Sequence, residues 1–263
     1  ESYDALHNPV EARYGMLRNA AGELEAVMEM AEASGLRRIP DESRNVLYSS
    51  TFGTGSMIRD AVSQGVQRIL LGIGGSATND GGVGMLAALG VKFLDGDGGD
   101  LDPVPASLMN LAEVDTSGLI DLPPIEVACD VENPLLGSNG ASAVYGPQKG
   151  ADEETVGFLE AVLARLVEVT GRTDAAEAPG AGAAGGLGFG LVAFAGARLR
   201  NGFNMVADAL GLPMQVAHAD FVITGEGSLD LQTLQGKAPL GLALLAREHG
   251  RKIIAIGGRV DSV

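Results

Sequence analysis

The sequence predicts an α/β fold, and three observations carry the prediction. An apolar run, Ile69-Leu70-Leu71, leads into a turn containing Gly72, Gly74 and Gly75, after which Val83, Leu86, Ala87 and Leu89 recur at helical spacing. The succession returns near the end, where a strand pattern over residues 219–224 ends in the acidic turn 225–230 and a stripe of Leu242, Leu245 and Ala246 follows. Composition agrees: the 263 residues are 46% hydrophobic and include 39 glycines, enough for a real core with many tight turns. That length suits one large domain or two smaller ones.

Taken in order, residues 10–17 alternate and read as a strand, and residues 25–30 as a second strand or a helix. Residues 31–35 read as a turn. The polar loop 49–55, which could hold a substrate through hydroxyls and N–H groups or cap its own helix, precedes a helical stripe of Met57, Ile58, Ala61 and Val62 that ends near Gly65, with Thr54 or Ser56 expected at the N-cap and Arg59 solvated. Residues 91–94 read as a strand and 95–100 as a solvated acidic turn, since the later ligands of a calcium loop are missing. Residues 125–129 are a strand with Asp130 at its end. Residues 151–170 form a helix with Val156, Leu159, Val162, Leu163 and Leu166 on one face. Residues 174–184, rich in Ala, Gly and Pro, read as a flexible connection. The glycine run 185–190 fits a loop against a substrate or tight helix packing. Residues 253–258 add a buried strand and glycine turn.

Several function classes are excluded or disfavoured. A net charge of −16 opposes binding to nucleic acid, whose phosphates need a basic face. One cysteine, Cys129, allows no internal disulfide. No run reaches the length of a membrane span, and the first residues do not resemble a signal peptide, so a cytoplasmic protein without membrane partners is expected. His7, His218 and His249 share no motif, no Cys/His cluster suits zinc, and no Walker P-loop is present.

The candidate chemistry gathers at strand ends. A glycine turn between strand and helix presents backbone N–H groups to an anion, which makes Gly74, Gly75 and Ser76 candidate phosphate or carboxylate binders. Thr78, Asn79 and Asp80 follow directly. A carboxylate facing an anion repels it unless a cation lies between, and Asp80 with a metal ion fits phosphoryl transfer better than hydride transfer. Asp80-Gly81-Gly82 also reads as a simple cap and turn. Asp130, Glu226 and Asp230 stand at further strand ends, where open α/β sheets bind ligands. Lys149 and Lys237 are loop lysines that could offset substrate charge, although an exposed loop lysine is the commoner case for Lys149. A competing reading takes Gly72-x-Gly74-x-x-Ala77 with Asp95 as a dinucleotide fingerprint and predicts an NAD-dependent oxidoreductase. A third is a non-catalytic small-anion binding domain.

One ordered set of segments resembles a known family. It comprises residues 10–17; Gly53-Thr54-Gly55; residues 74–90, opening Gly74-Gly75-Ser76-Ala77-Thr78-Asn79-Asp80-Gly81-Gly82; residues 128–135; Gly146-Pro147-Gln148-Lys149-Gly150; residues 182–190; and Thr224-Gly225-Glu226-Gly227 with Asp230, Gln232-Thr233 and Gly236-Lys237. Together they resemble the bacterial type I glycerate kinases, the glycerate 2-kinase-like family. Ser228 departs from that pattern, where a basic residue is expected in many relatives. The resemblance implies a two-domain fold with mainly parallel sheets and flanking helices: a central domain over 1–218, and over 219–263 the start of a return segment into a second, Rossmann-like domain. It also implies an earlier segment, so the chain is expected to be a piece of a longer protein. It implies ATP-dependent phosphorylation of D-glycerate with Mg2+, most simply to 2-phosphoglycerate, with D-glycerate and ATP as small-molecule partners and a homo-oligomer as one option. Within that reading Asp80 or Asp130 is the base, Gly74, Gly75, Ser76, Thr78, Asn79, Lys149 and Lys237 bind substrate or phosphate, and Glu226 and Asp230 hold the metal.

Overall fold

The computed structural model describes residues 1–19, 21–229 and 238–260. The chain divides into two compact units, Glu1–Leu199 and Arg200–Val263.

The first unit is built on a five-stranded sheet. A short antiparallel pair, β1 (Ser2–Tyr3) and β2 (Pro9–Val10), precedes β3 (Gly15–Arg18) and β4 (Leu24–Glu29), so the strand expected over 10–17 is interrupted and its second half pairs antiparallel with β4. The expected turn at 31–35 contains a short helix, α1 (Ala31–Ser34). Then come α2 (Phe52–Ser63), β5 (Arg68–Gly72), α3 (Val83–Ala88), β6 (Lys92–Leu94), α4 (Pro105–Leu108), β7 (Glu113–Asp115) and β8 (Ile125–Ala128). The unit ends with α5 (Ala141–Tyr145), α6 (Glu153–Thr170), α7 (Thr173–Glu177), α8 (Ala183–Ala195) and β9 (Arg198–Arg200). Sheet order is β3-β4-β5-β8-β9, with β5 central and parallel to both β4 and β8. A strand flanked on both sides and covered on both faces should be continuously apolar. Ile69, Leu70 and Leu71 are buried accordingly. Register pairs Gly72 with Glu29 on one side and Ala128 on the other, so the carboxyl ends of three strands stand level.

Three local expectations change. Helix α2 starts at Phe52 with Thr51 at its N-cap, because an internal carboxylate, described below, takes the Thr51 N–H. Thr54 and Ser56 lie inside the helix, their hydroxyls donating to Ser34 Oγ at 3.0 Å and the Phe52 carbonyl at 3.2 Å. The flexible connection expected at 174–184 holds α7 and buries Ala176, Ala181 and Ala183 in the core. The Asp95 turn behaves as expected: Asp95 accepts from the Asp97 and Gly99 N–H groups. Its strand β6 pairs only with β7, antiparallel and outside the main sheet. A dinucleotide fingerprint needs that second strand inside the parallel sheet, so the oxidoreductase geometry is not built here.

The second unit contains α9 (Gly202–Ala209), α10 (Leu212–His218), β10 (Phe221–Leu229), α11 (Ala238–Glu248) and β11 (Lys252–Val260). β10 and β11 pair in parallel, as a strand–helix–strand crossover requires. Val216, Val222 and Ala246 form its core with Leu242, Leu245 and Ile253 against them. Among the described residues no helix is long and apolar enough to cross a membrane.

Candidate active site

In open α/β sheets the crevice beyond the carboxyl ends of the strands is the usual ligand site. The first unit has such a cavity, of about 470 Å³. Residues 72–76 beyond β5 form one wall and residues 128–131 beyond β8 another, with Tyr145, Gln148, Ala183 and Ala184 also lining it. Gly75 has φ +71°, which favours glycine. Gly74 has no such need, and a Cβ there would meet no protein atom within 4 Å. Its bare backbone leaves room at the cavity wall for a ligand. The turn is pinned from behind by Leu36 N–H donating to the Gly75 carbonyl at 2.8 Å and Ala77 N–H to the Ser34 carbonyl at 2.9 Å.

Asp130 lines this cavity and is exposed. Beside it, burial pushes the Cys129 thiol up, and its Sγ donates to the Val131 carbonyl at 3.3 Å. Burial and then Cys129 push the Tyr145 phenol up, while its hydroxyl donates to Asn133 Oδ1 at 2.7 Å.

Asp80 is fully buried and does not line the cavity. Its Oδ2 accepts from Thr51 N–H at 2.7 Å, Thr51 Oγ1 at 2.8 Å and Gly84 N–H at 3.1 Å, and its Oδ1 from Gly82 N–H at 3.1 Å. Thr51 Oγ1 in turn accepts from Met85 N–H at 2.8 Å. One carboxylate therefore serves the N-terminal ends of both α2 and α3, where negative charge is favoured. Burial pushes its carboxyl upward, against four hydrogen bonds that favour the ionised form.

Thr78 and Asn79 are also fully buried. Asn79 Nδ2 donates to Ser142 Oγ at 3.0 Å, whereas Asn79 Oδ1 and Thr78 Oγ1 have no hydrogen-bond partner among the described residues. Lys149 is neither an exposed loop lysine nor a lining residue. It is 1% exposed, and its Nζ donates to the Thr78 carbonyl at 2.7 Å. The glycine run closes the same layer. Ala184, Gly185 and Gly186 have φ of +55°, +69° and +88°, and Gly81 N–H donates to the Gly185 carbonyl at 3.0 Å. A Cβ on Gly185 would lie 1.9 Å from the Thr78 carbonyl oxygen, so tight backbone packing explains this glycine.

Of the expected site residues, the first unit thus places Gly74, Gly75, Ser76 and Asp130 on one cavity, with Thr78, Asn79, Asp80 and Lys149 in the polar layer of the same unit. Glu226 sits half-buried on β10 of the second unit, opposite Gly257 in register. Asp230 and Lys237 lie outside the described residues, as do Gln232, Thr233 and Gly236. Among the described residues no group of three or more His, Cys, Asp or Glu is arranged to hold a metal. Sequence reasoning gave no individual role to Gln148 and Tyr145, and placed Thr51 only within the polar loop 49–55. The glycine-bounded run 146–150 was a signal for the first, but nothing local marks Thr51 as the partner of Asp80.

Together these features define an α/β protein with a cavity at the carboxyl ends of parallel strands, the usual ligand site of such sheets. A family model described as "Glycerate kinase family" matches residues 1–263. The chain is 48% identical over 260 residues to a glycerate kinase of Halalkalibacterium halodurans, covering 96% of this chain and 67% of that protein. It is 45% identical over 239 residues to the glycerate 2-kinase of Escherichia coli, covering 89% of this chain and 63% of that one. It also matches the crystal structure of glycerate kinase 2 from Salmonella typhimurium LT2 with a TM-score of 0.90 and 44% identity, covering all of this chain and 73% of the other. The chain belongs to the glycerate kinase family. It spans about two thirds of the length of these curated relatives.

Proposed function

We propose that this chain transfers the terminal phosphoryl group of ATP to D-glycerate and releases 2-phosphoglycerate. The observation that carries the reading is the cavity at the ends of β5 and β8, which sets an exposed carboxylate, Asp130, opposite a bare glycine turn. The name of the Escherichia coli relative supports the position of the new phosphate.

Phosphoryl transfer asks a protein mainly for positioning and for neutralising charge. In this reading the N–H groups of Gly74 and Gly75 and the Ser76 hydroxyl hold a carboxylate or phosphate. Asp130 accepts the proton of the attacking glycerate hydroxyl as its oxygen bonds to the γ-phosphorus, while the bond from that phosphorus to the bridging oxygen breaks and ADP leaves with the electron pair. Asp80 acts from beneath, by fixing the turn between β5 and α3. Asp130 is the better base because it lines the cavity, whereas Asp80 already accepts four hydrogen bonds away from it.

Mg2+ fits the donor set present. It typically binds through one or two carboxylates together with substrate phosphates, not through an all-protein cage. Glu226 in the second unit is the described carboxylate that would hold it, and Asp230, the other ligand the family resemblance implies, lies outside the described residues. When bound, it would neutralise charge on the transferring group. A cytoplasmic setting suits an ATP-dependent reaction of this kind.

The test is ATP consumption by the purified chain with D-glycerate, L-glycerate and lactate, with the product passed to enolase. Enolase dehydrates 2-phosphoglycerate and leaves 3-phosphoglycerate untouched. Turnover with D-glycerate and an enolase-competent product is expected. An enolase-inert product would overturn the assigned position, and binding without ATP consumption would leave an anion-binding domain.

A further inference from the structure

Lys149 follows Tyr145 and Gln148, which line the cavity, yet its own side chain turns inward. The turn Pro147–Lys149 ends at Gly150, whose φ of +94° reverses the chain. The ammonium then reaches the Thr78 carbonyl, 71 positions earlier, at 2.7 Å. Thr78 sits two residues beyond Ser76, which lines the opposite part of the cavity. A second bond joins the same two segments in the opposite direction, Asn79 Nδ2 donating to Ser142 Oγ on α5 at 3.0 Å. The segment 141–149 is thus tied twice to the turn 76–80.

Holding an ammonium inside a protein is expensive, several kcal/mol before compensation. Burial pushes the Lys149 amine down to about 7, and the Asp80 carboxylate is the group that favours its charge. A methionine of similar length would avoid that desolvation.

We infer that Lys149 is a positioning residue for the reaction proposed above: through the Thr78 carbonyl its ammonium fixes the glycine-turn wall of the cavity against the Tyr145–Gln148 wall. It touches neither substrate nor nucleotide. The inference rests on the kinase reading for its catalytic consequence, but not for its structural one.

Lys149→Met and Lys149→Gln test it, the second retaining a neutral donor. Lys149→Met is expected to lose about 10- to 100-fold in kcat, since small misplacements of reacting groups have effects of that order. KM for glycerate should shift less than kcat, and Lys149→Gln should fall between Met and wild type. Wild-type kcat should decline along a one-proton limb on the alkaline side of pH 7 that Lys149→Met lacks. Cys129 and Tyr145, the other shifted groups at the cavity, are both pushed upward and titrate higher. Stability gives an independent sign. Between about 7 and the ordinary lysine value of 10.5 the unfolded chain binds a proton that the folded chain does not, so Lys149 makes stability rise with pH across that window. Lys149→Met should lose that rise. Amide exchange over residues 74–80 should quicken in Lys149→Met whether or not glycerate is the substrate. Wild-type inactivity toward glycerate with quickened exchange would overturn the kinase reading alone. Unchanged kcat in a folded variant, or unchanged exchange, would overturn the role of Lys149. If Lys149→Met does not fold, Lys149→Gln and the wild-type alkaline limb decide, and absence of that limb counts against the inference.

Discussion

Asp80 and Asp130 carry the same side chain, and each follows a central parallel strand of the same sheet. Asp80 lies fully buried beneath the turn after β5 and receives four donors from Thr51, Gly82 and Gly84. Asp130 lies exposed in the cavity after β8. A carboxylate saturated with fixed donors holds backbone in place. One that faces a cavity can exchange a proton with what enters it. The chemistry therefore follows from surroundings, and the buried polar layer around Asp80 is the support on which the open site stands.

That contrast can be broken from either side by measuring unfolding free energy and turnover separately. The largest stability loss is expected for Asp80→Ala, which orphans buried donors of two helix N-termini. About 3–5 kcal/mol should be lost in chemical denaturation, and kcat of the folded protein should fall less than in Asp130→Asn, because Asp80 acts on the reaction only through the turn it fixes and the charge it lends Lys149. Gly185→Ala comes next. Its Cβ would meet the Thr78 carbonyl at 1.9 Å in a left-handed conformation, for a loss on the order of 3 kcal/mol by the same measurement. Asp152→Ala is smaller still. Asp152 caps α6 by accepting from Thr155 N–H at 2.9 Å, so only a small drop in the denaturation midpoint is expected, with kcat unchanged. A turnover defect in Asp152→Ala beyond its stability loss would show that the α6 end is not merely structural.

The sequence made the frame readable where physics is local. The apolar run before Gly72 became β5, the strand before Asp130 became β8, and the stripe over 151–170 became α6. The glycine turn and its polar successors were visible for the same reason. What local pattern could not show was which way the polar groups point. Asp80 is satisfied by Thr51, 29 positions away, and Lys149 by Thr78, 71 positions away. Both looked like residues for a ligand because these two partners are not neighbours in sequence, whereas Gly82 and Gly84, which also donate to Asp80, are, and they carry its alternative reading as a cap and turn. The cap of α2 was misplaced for the same cause, since a distant carboxylate decides where that helix begins. Helix α7 went unseen because Ala, Gly and Pro between Asp174 and Ala184 carry little periodic signal, although burial of Ala176 and Ala181 makes that stretch part of the core.

The central claim, that the open carboxylate does the chemistry while the buried one holds the frame, is tested most directly by kcat of Asp130→Asn with D-glycerate and ATP. Exposed on the cavity wall, this substitution should change unfolding free energy by less than about 0.5 kcal/mol, while kcat drops about 10²- to 10⁴-fold as expected for removal of a general base. A folded Asp130→Asn protein that turns over at the wild-type rate would contradict it.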